Sequence, residues 1–185
     1  MKIIGGAFKG RTINFLKNSK TRPLKSNVRE SIFNILKHSS LIKTNIENSN
    51  ILDLYSGIGS FGIECISRGA NKVTFIERDL IATNILKENL IKFAVIGKSK
   101  VYLSKIEDIL AKDFNEKFNI FFFDPPFSDF NFLKNLETIK NLKIFDKKHI
   151  VIIHREKKCK DSFKNLLKII EVKLYGRSKI IFGIF

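Results

Sequence analysis

Three observations predict an α/β fold. Short apolar strands alternate with helical patterns from residue 51 onward, a glycine-rich turn follows the first strand directly, and the last two strands flank a Gly176-Arg177 turn. The expected architecture is a mostly parallel seven-stranded sheet with an antiparallel C-terminal strand, preceded by a short N-terminal arm and a helix. A length of 185 residues suits a single domain, divided into a basic arm at 1–25 and a main body at 26–185. An apolar share of 44% excludes a disordered chain. Two cysteines make no disulfide framework, and with three scattered histidines they make no zinc pattern. The longest charge-free stretch, residues 54–63, is too short to cross a membrane. The N-terminus holds no apolar run of the kind a secretory signal needs, so a soluble, cytoplasmic protein is expected.

The elements follow in order. Residues 2–4 and 11–15 can pair as a short hairpin around Gly5-Gly6. Ser26 reads as an N-cap, and Val28, Ile32, Phe33, Ile35 and Leu36 recur at helical spacing until about residue 38. Strands are expected at 51–54, 72–76, 100–103, 119–123, 149–153, 171–175 and 179–185. Helices are expected at 61–68, 80–93, 106–111, 130–140 and 161–170. The helix at 80–93 is assigned an apolar face of Leu80, Ile81, Ile85, Leu86, Leu90 and Ile91. Cys65 and Cys159 read as structural.

The turn after the first strand runs from Asp53 through Tyr55 to Gly62, and Gly57, Gly59 and Gly62 spell G-x-G-x-x-G. Such glycines let the backbone turn sharply and approach a ligand. Glu77 ends the next strand, twenty residues after Gly57, where a carboxylate accepts hydrogen bonds from ribose hydroxyls. The bland alternative is a structural turn with an unrelated surface acid. A dinucleotide would place its pyrophosphate on the helix N-terminus. Asp53 would repel that group but suits an ammonium, which favours S-adenosylmethionine.

The fourth parallel strand ends in Asp124-Pro125-Pro126-Phe127, next to the glycine turn if ligands bind at the carboxyl ends of strands. Two successive prolines fix φ and remove two N–H donors, leaving a rigid corner of acceptors. The Asp124 carboxylate and the Pro125 carbonyl can each accept one N–H of an exocyclic amine, and Phe127 can stack on its base. The alternative is a plain turn ending a core strand.

These residues resemble class I S-adenosylmethionine-dependent methyltransferases that modify amino nitrogens, with a Rossmann-like fold. The opening Ile3-Ile4-Gly5-Gly6-Ala7-Phe8-Lys9-Gly10-Arg11, then Thr21-Arg22-Pro23 and residues 28–36, narrow the resemblance to the bacterial 16S rRNA (guanine-N2)-methyltransferase family RsmD; Tyr175-Gly176 also fits. The resemblance implies methylation of a guanine N2 amine in small-subunit 16S rRNA, guanine 966 in the family, within a 30S subunit or its assembly intermediate. It also implies cofactor contacts from Asp53, Tyr55, Gly57, Gly59, Glu77, Arg78, Asp124 and the Ile106 backbone, although Lys105-Ile106 departs from the family's usual Asn-Ala or Asp-Ala step. Where the family often carries Glu after the fifth strand this chain has His154, read as an ordinary strand-end histidine. Ser26-Asn27 replaces an Asp-Arg pair frequent at the helix entry.

The formal charge of +16 divides unevenly: +9 over residues 1–43, −2 over 44–139 and +9 over 140–185. AT-rich codon usage would load lysine everywhere, whereas basic flanks around a neutral centre suit a polyanion held around a site. Lys9, Arg11, Arg22 and Arg29 are the candidate RNA-phosphate contacts, with a solvated helix face as the other reading of Arg29. Metal is not implied, and a monomer is the default expectation. The competing readings are an amino methyltransferase acting on DNA adenine or protein glutamine, a non-catalytic rRNA-binding assembly factor, and a nicotinamide-dependent enzyme.

Overall fold

Seven strands line up in the order β3-β2-β1-β4-β5-β7-β6 in a computed structural model that describes residues 1–15, 24–112 and 116–185. Strands β1 (Asn50–Leu54), β2 (Lys72–Glu77), β3 (Ser99–Leu103), β4 (Phe118–Phe123) and β5 (Phe145–Glu156) pair in parallel. Strand β7 (Ser178–Ile184) runs antiparallel between β5 and β6 (Lys168–Tyr175). The chain order changes direction at β1, because β4 lies beside β1 and opposite β2, and this switch opens a crevice at the carboxyl ends of the strands.

The central strands are apolar throughout because both faces are covered. Successive side chains point to opposite faces, so Ile51, Ile120, Phe122, Ile150 and Ile152 join one core while Leu52, Phe121, Phe123, Val151 and Ile153 join the other. The first core receives α1 (Ser26–His38), α2 (Ser60–Ser67) and α3 (Leu80–Lys92), and the second receives α4 (Ile106–Leu110) and α5 (Phe132–Leu142). Phe33 stacks on Phe61 and Phe61 on Phe122, with ring centroids 5.3 and 3.9 Å apart, which ties α1 and α2 to the sheet.

The N-terminal arm forms the expected short pairing. Lys2 bridges Thr12, Ile3 N donates to Arg11 O, and Ile13 N donates to Met1 O. Ile3 and Ile13 are buried in the same core as α1 and α2, so the arm packs against the body. No helix among the described residues is long and apolar enough to cross a membrane.

Three local expectations are corrected. Ser26 is the first residue of α1 and not its cap; Lys25 caps it without a side-chain bond. Residues 161–167 form no helix. Phe163 and Leu167 turn inward at a helix-like spacing, but Asn165 adopts a left-handed conformation, and Ile169 and Ile170 belong to β6, paired with β7. In α3 the inward face is Ala82, Thr83, Leu86, Asn89 and Leu90, whereas Leu80, Ile81 and Ile91 are exposed. Asp79 fixes the helical phase by accepting from Ala82 N at 2.8 Å. The inward polar groups are bonded: Thr83 donates to Asp79 O, and Asn89 donates to Asn14 O and Ile58 O.

Candidate active site

The crevice at the switch point is a cavity of about 780 Å³, bounded by the loops after β1, β2, β3 and β4, by His154 of β5, by Arg177 and Ser178 at the β6–β7 turn, and by Phe15, Leu24 and Lys25. The three glycines of the first loop do different work. Gly57 sits at φ +54°, and a Cβ added there would meet nothing within 4 Å, so it faces open cavity. Gly59, at φ +81°, caps α2, and its Cβ would lie 2.3 Å from Leu86 Cδ1. A Cβ on Gly62 would lie 2.3 Å from Phe75 Cε1, so this glycine lets α2 settle on the sheet. Tyr55 is itself left-handed at φ 63°. Burial, followed by the Asp129 carboxylate, pushes its phenol well up, and Asn135 Nδ2 donates to its oxygen.

Two acids brace this loop. Glu77 accepts from Gly57 N at 2.7 Å with one oxygen and from Arg78 N and Asp79 N with the other. Asp53 is buried beneath the turn and accepts from Gly62 N at 3.0 Å, inside the first turn of α2. Burial drives its carboxyl well above the usual carboxylate range; the Gly62 N–H opposes this, while Asp124 and Glu77 add to it. Arg78 and Ile106 also line the cavity, the latter at the start of α4. Among the described residues the lining carries six carboxylates against four Lys and Arg, in a chain of net charge +16.

Strand β4, directly beside β1, delivers Asp124, Pro125, Pro126 and Phe127 to the same cavity. Asp124 Oδ1 lies 2.7 Å from His154 Nδ1, and His154 Nε2 lies 2.9 Å from Ser178 Oγ. With Asp124 ionised, Nδ1–H donates to the carboxylate and Nε2 accepts the Ser178 hydroxyl. The Phe127 ring stands edge-on to His154, 5.6 Å between centroids. Arg155, fully buried, donates to the carbonyls of Pro126 and Phe127 at 3.0 and 3.1 Å and forms a bidentate pair with Asp161. Pro126 O also accepts from Asp129 N. The Pro125 carbonyl has no hydrogen-bond partner among the described residues, so it remains available in the cavity wall.

All the expected cofactor and acceptor residues except Asp53 and Gly59 line the cavity, and those two lie directly behind the turn. His154 is not an ordinary strand-end residue, because its bond to Asp124 places it in the acceptor corner. Arg155 was not anticipated; the usable signal is an arginine at the end of an apolar strand with an acid, Asp161, six residues on. The expected phosphate contacts are less well placed. Arg29 is 0% exposed, donates to Lys2 O and faces Glu64 across 4.0 Å, so it neither meets a phosphate nor forms a solvated helix face. Arg11 is exposed, but its guanidinium lies 4.5 Å over the Phe93 ring and donates to Lys92 O. Lys9 is exposed and outside the cavity lining, and Arg22 lies outside the described residues. Lys25 and Arg177 do border the cavity.

Comparison with known proteins agrees with this geometry. The sequence profile of the family described as Conserved hypothetical protein 95 matches residues 1–184. Ribosomal RNA small subunit methyltransferase D of Buchnera aphidicola subsp. Acyrthosiphon pisum is 33% identical over 84% of this chain and 78% of its own. The protein of the same name from Haemophilus influenzae is 35% identical over 69% of this chain and 64% of its own. Putative methyltransferase yhhF from Escherichia coli superposes with a TM-score of 0.82 at 25% identity, over 99% of this chain and 96% of that one. The chain belongs to the Conserved hypothetical protein 95 family and is an RsmD-type class I methyltransferase.

Proposed function

We propose that this chain methylates the exocyclic N2 amine of a guanine in small-subunit 16S rRNA, at the position of guanine 966. The observation that carries this reading is the acceptor corner: an Asp124 carboxylate steadied on one oxygen by His154, a free Pro125 carbonyl, and the Phe127 ring, all on one cavity wall. An exocyclic amine is a weak nucleophile because its lone pair is delocalised into the base. Asp124 and the Pro125 carbonyl accept its two N–H bonds and fix its orientation, so alignment supplies most of the rate. The new nitrogen–carbon bond would form as the methyl–sulfur bond of the sulfonium breaks, its electron pair staying on sulfur as a neutral thioether, and the nitrogen would lose one proton to Asp124 or solvent.

S-adenosylmethionine, when bound, supplies an electrophilic methyl group on a sulfonium. The residues present fit it: the acid-rich lining suits a cation, Gly57 leaves room for a ligand, and Glu77 Oε2, which accepts only from Gly57 N, keeps a lone pair for a ribose hydroxyl. Tyr55, Arg78 and the Ile106 backbone would hold the adenosine, and Asp53, buried beneath the turn, would offset the charge of the ammonium. The deciding experiment is transfer of a labelled methyl group to undermethylated 30S subunits and to naked 16S rRNA, with mapping of the product base. N2-methylguanine at a single position is expected; label on adenine, or on protein only, would overturn the reading.

Two further outcomes follow for the cofactor wall. Gly57→Ala should cost only about 1–2 kcal/mol of stability, the penalty of a left-handed alanine, because its Cβ meets no atom. It should still weaken S-adenosylmethionine binding at least tenfold in calorimetry, by filling ligand space. Gly59→Ala should show the reverse balance, a larger drop in melting temperature from the Leu86 contact. Asp53 gives a pH dependence. Its carboxyl is raised in the free protein, so it is protonated at the acidic end and must ionise to hold an ammonium. Binding therefore releases a proton, and affinity rises with pH through that titration. Calorimetry in two buffers of different ionisation enthalpy should detect the release, and Asp53→Asn should remove it.

A further inference from the structure

Of the cations expected to hold RNA, Lys9 and Arg11 lie outside the cavity lining and Arg29 is buried, while Arg22 falls outside the described residues, which directs attention to the cations that do border the cavity. We propose that the phosphates flanking the target base are gripped by a basic rim made of Lys157, Lys158 and Lys160 after β5 and Arg177 in the β6–β7 turn, with Lys25 across the mouth. The inference rests on the rRNA reading above and deepens it.

Topology puts these loops at one end of the sheet. Strand β6 runs in the same direction as β5, so the β6–β7 turn and the segment leaving β5 both emerge beside the carboxyl ends of the parallel strands. The two segments are joined, since Lys157 N donates to Arg177 O at 2.8 Å and Lys179 Nζ donates to Cys159 O at 2.6 Å. They are also fastened to the acceptor corner. Arg155, two residues before Lys157, holds the Pro126 and Phe127 carbonyls, and Cys159 Sγ lies 3.9 Å from Phe127 O. Lys157, Lys158, Lys160 and Arg177 are exposed, and Lys25 and Arg177, the latter paired with Glu156 at 2.9 Å, line the cavity. Four cations within one fastened loop system, with no acid between Lys157 and Lys160, form a track for a polyanion.

A second, independent observation is aromatic. Of the chain's 18 phenylalanines, only Phe15 and Phe130 are strongly exposed among the described residues, at 48% and 62%. Phe15 lines the cavity, and Phe130 sits between Asp129 and Asn131, which both line it. Exposed rings at and next to the lining of this cavity suit unstacked bases of a single strand, whose neighbouring phosphates the rim would then meet.

The test compares two triple variants of equal charge change. Lys157→Gln/Lys158→Gln/Lys160→Gln neutralises the rim. Lys117→Gln/Lys147→Gln/Lys148→Gln neutralises three exposed lysines around the starts of β4 and β5, at the opposite end of the sheet. Both are measured for binding to a 16S rRNA transcript and to undermethylated 30S subunits across a salt series, with S-adenosylmethionine binding and thermal melting as controls. Loss of three phosphate contacts should weaken RNA binding on the order of 50-fold near physiological salt and lower the log–log salt slope by about 2. The distal triple should change binding less than about threefold. Equal losses in both triples, or wild-type binding by the rim triple, would overturn the rim while leaving the rRNA reading intact. A wild-type protein that binds cofactor but neither RNA would remove the rRNA reading, and the rim with it.

Discussion

Asp124→Ala should lower methyl transfer by at least about 10²–10³-fold while S-adenosylmethionine binding stays close to wild type. Removing one preorganised polar contact to a reacting group typically costs that much when the contact is made chiefly in the transition state. Here the substitution removes the carboxylate that fixes one N–H of the amine and leaves His154 Nδ1 without its acceptor. Asp124→Asn should lose less, because an amide oxygen still accepts one N–H bond. His154→Ala separates orientation from acceptance: the carboxylate remains but loses a charge-assisted bond of about 1.5–3 kcal/mol, an expected 10- to 100-fold fall in kcat. Its effect on the KM for cofactor should be small, since His154 bonds Asp124 and Ser178 and none of the glycine-loop residues. Single-turnover transfer of labelled methyl to 30S subunits reads all three. Full activity in Asp124→Ala would mean that the amine is oriented by something other than this corner.

The parallel body of the fold was legible because its signals are local. Five apolar strands, the glycine turn and the two prolines each carry their geometry in a few consecutive residues; the structure places the first four strands within a residue of expectation and extends the fifth, expected at 149–153, to Phe145–Glu156. What escaped reading depends on long-range partners. His154 looks like any histidine at the end of a strand until β4 and β5 are set side by side and its ring meets Asp124, thirty residues earlier. Arg155 likewise gains meaning only from Asp161 and two carbonyls of the adjacent strand's loop. In α3 periodicity named the apolar residues but not the phase, because Asn89 takes an inward position to bond the arm and the glycine turn. The same limit hid the burial of Arg29, since a basic stretch in sequence shows nothing of which cations are folded inward.

Glu64→Ala tests what holds that arm, and it should be among the most destabilising single changes in the protein. Glu64 is fully buried in α2 and accepts from Ile4 N at 2.8 Å and Gly5 N at 2.7 Å, which fastens the arm to the body. Arg68 pairs with it at 3.0 Å and lies over the Phe33 ring, while Arg29 approaches within 4.0 Å from α1. Burial lowers the Arg29 pKa and the Glu64 charge opposes that shift. Arg29 Nε and Nη1 have no hydrogen-bond partner among the described residues, and Glu64 is a nearby charge that makes a buried guanidinium tolerable. Alanine would leave that cation uncompensated and orphan two backbone N–H groups, a loss of about 3–5 kcal/mol. For a domain of this size that is roughly a 6–20 °C fall in melting temperature. Glu64→Gln should fall less, because the amide oxygen still accepts from the arm. Adding Arg29→Met to Glu64→Ala should recover part of the loss, since an apolar residue needs no counter-charge there. The arm itself offers an independent readout: once detached, Lys9 and Arg11 become trypsin sites at temperatures where the body is still folded. Unchanged melting and unchanged cleavage in Glu64→Ala would show that the arm is held by Ile3 and Ile13 packing alone.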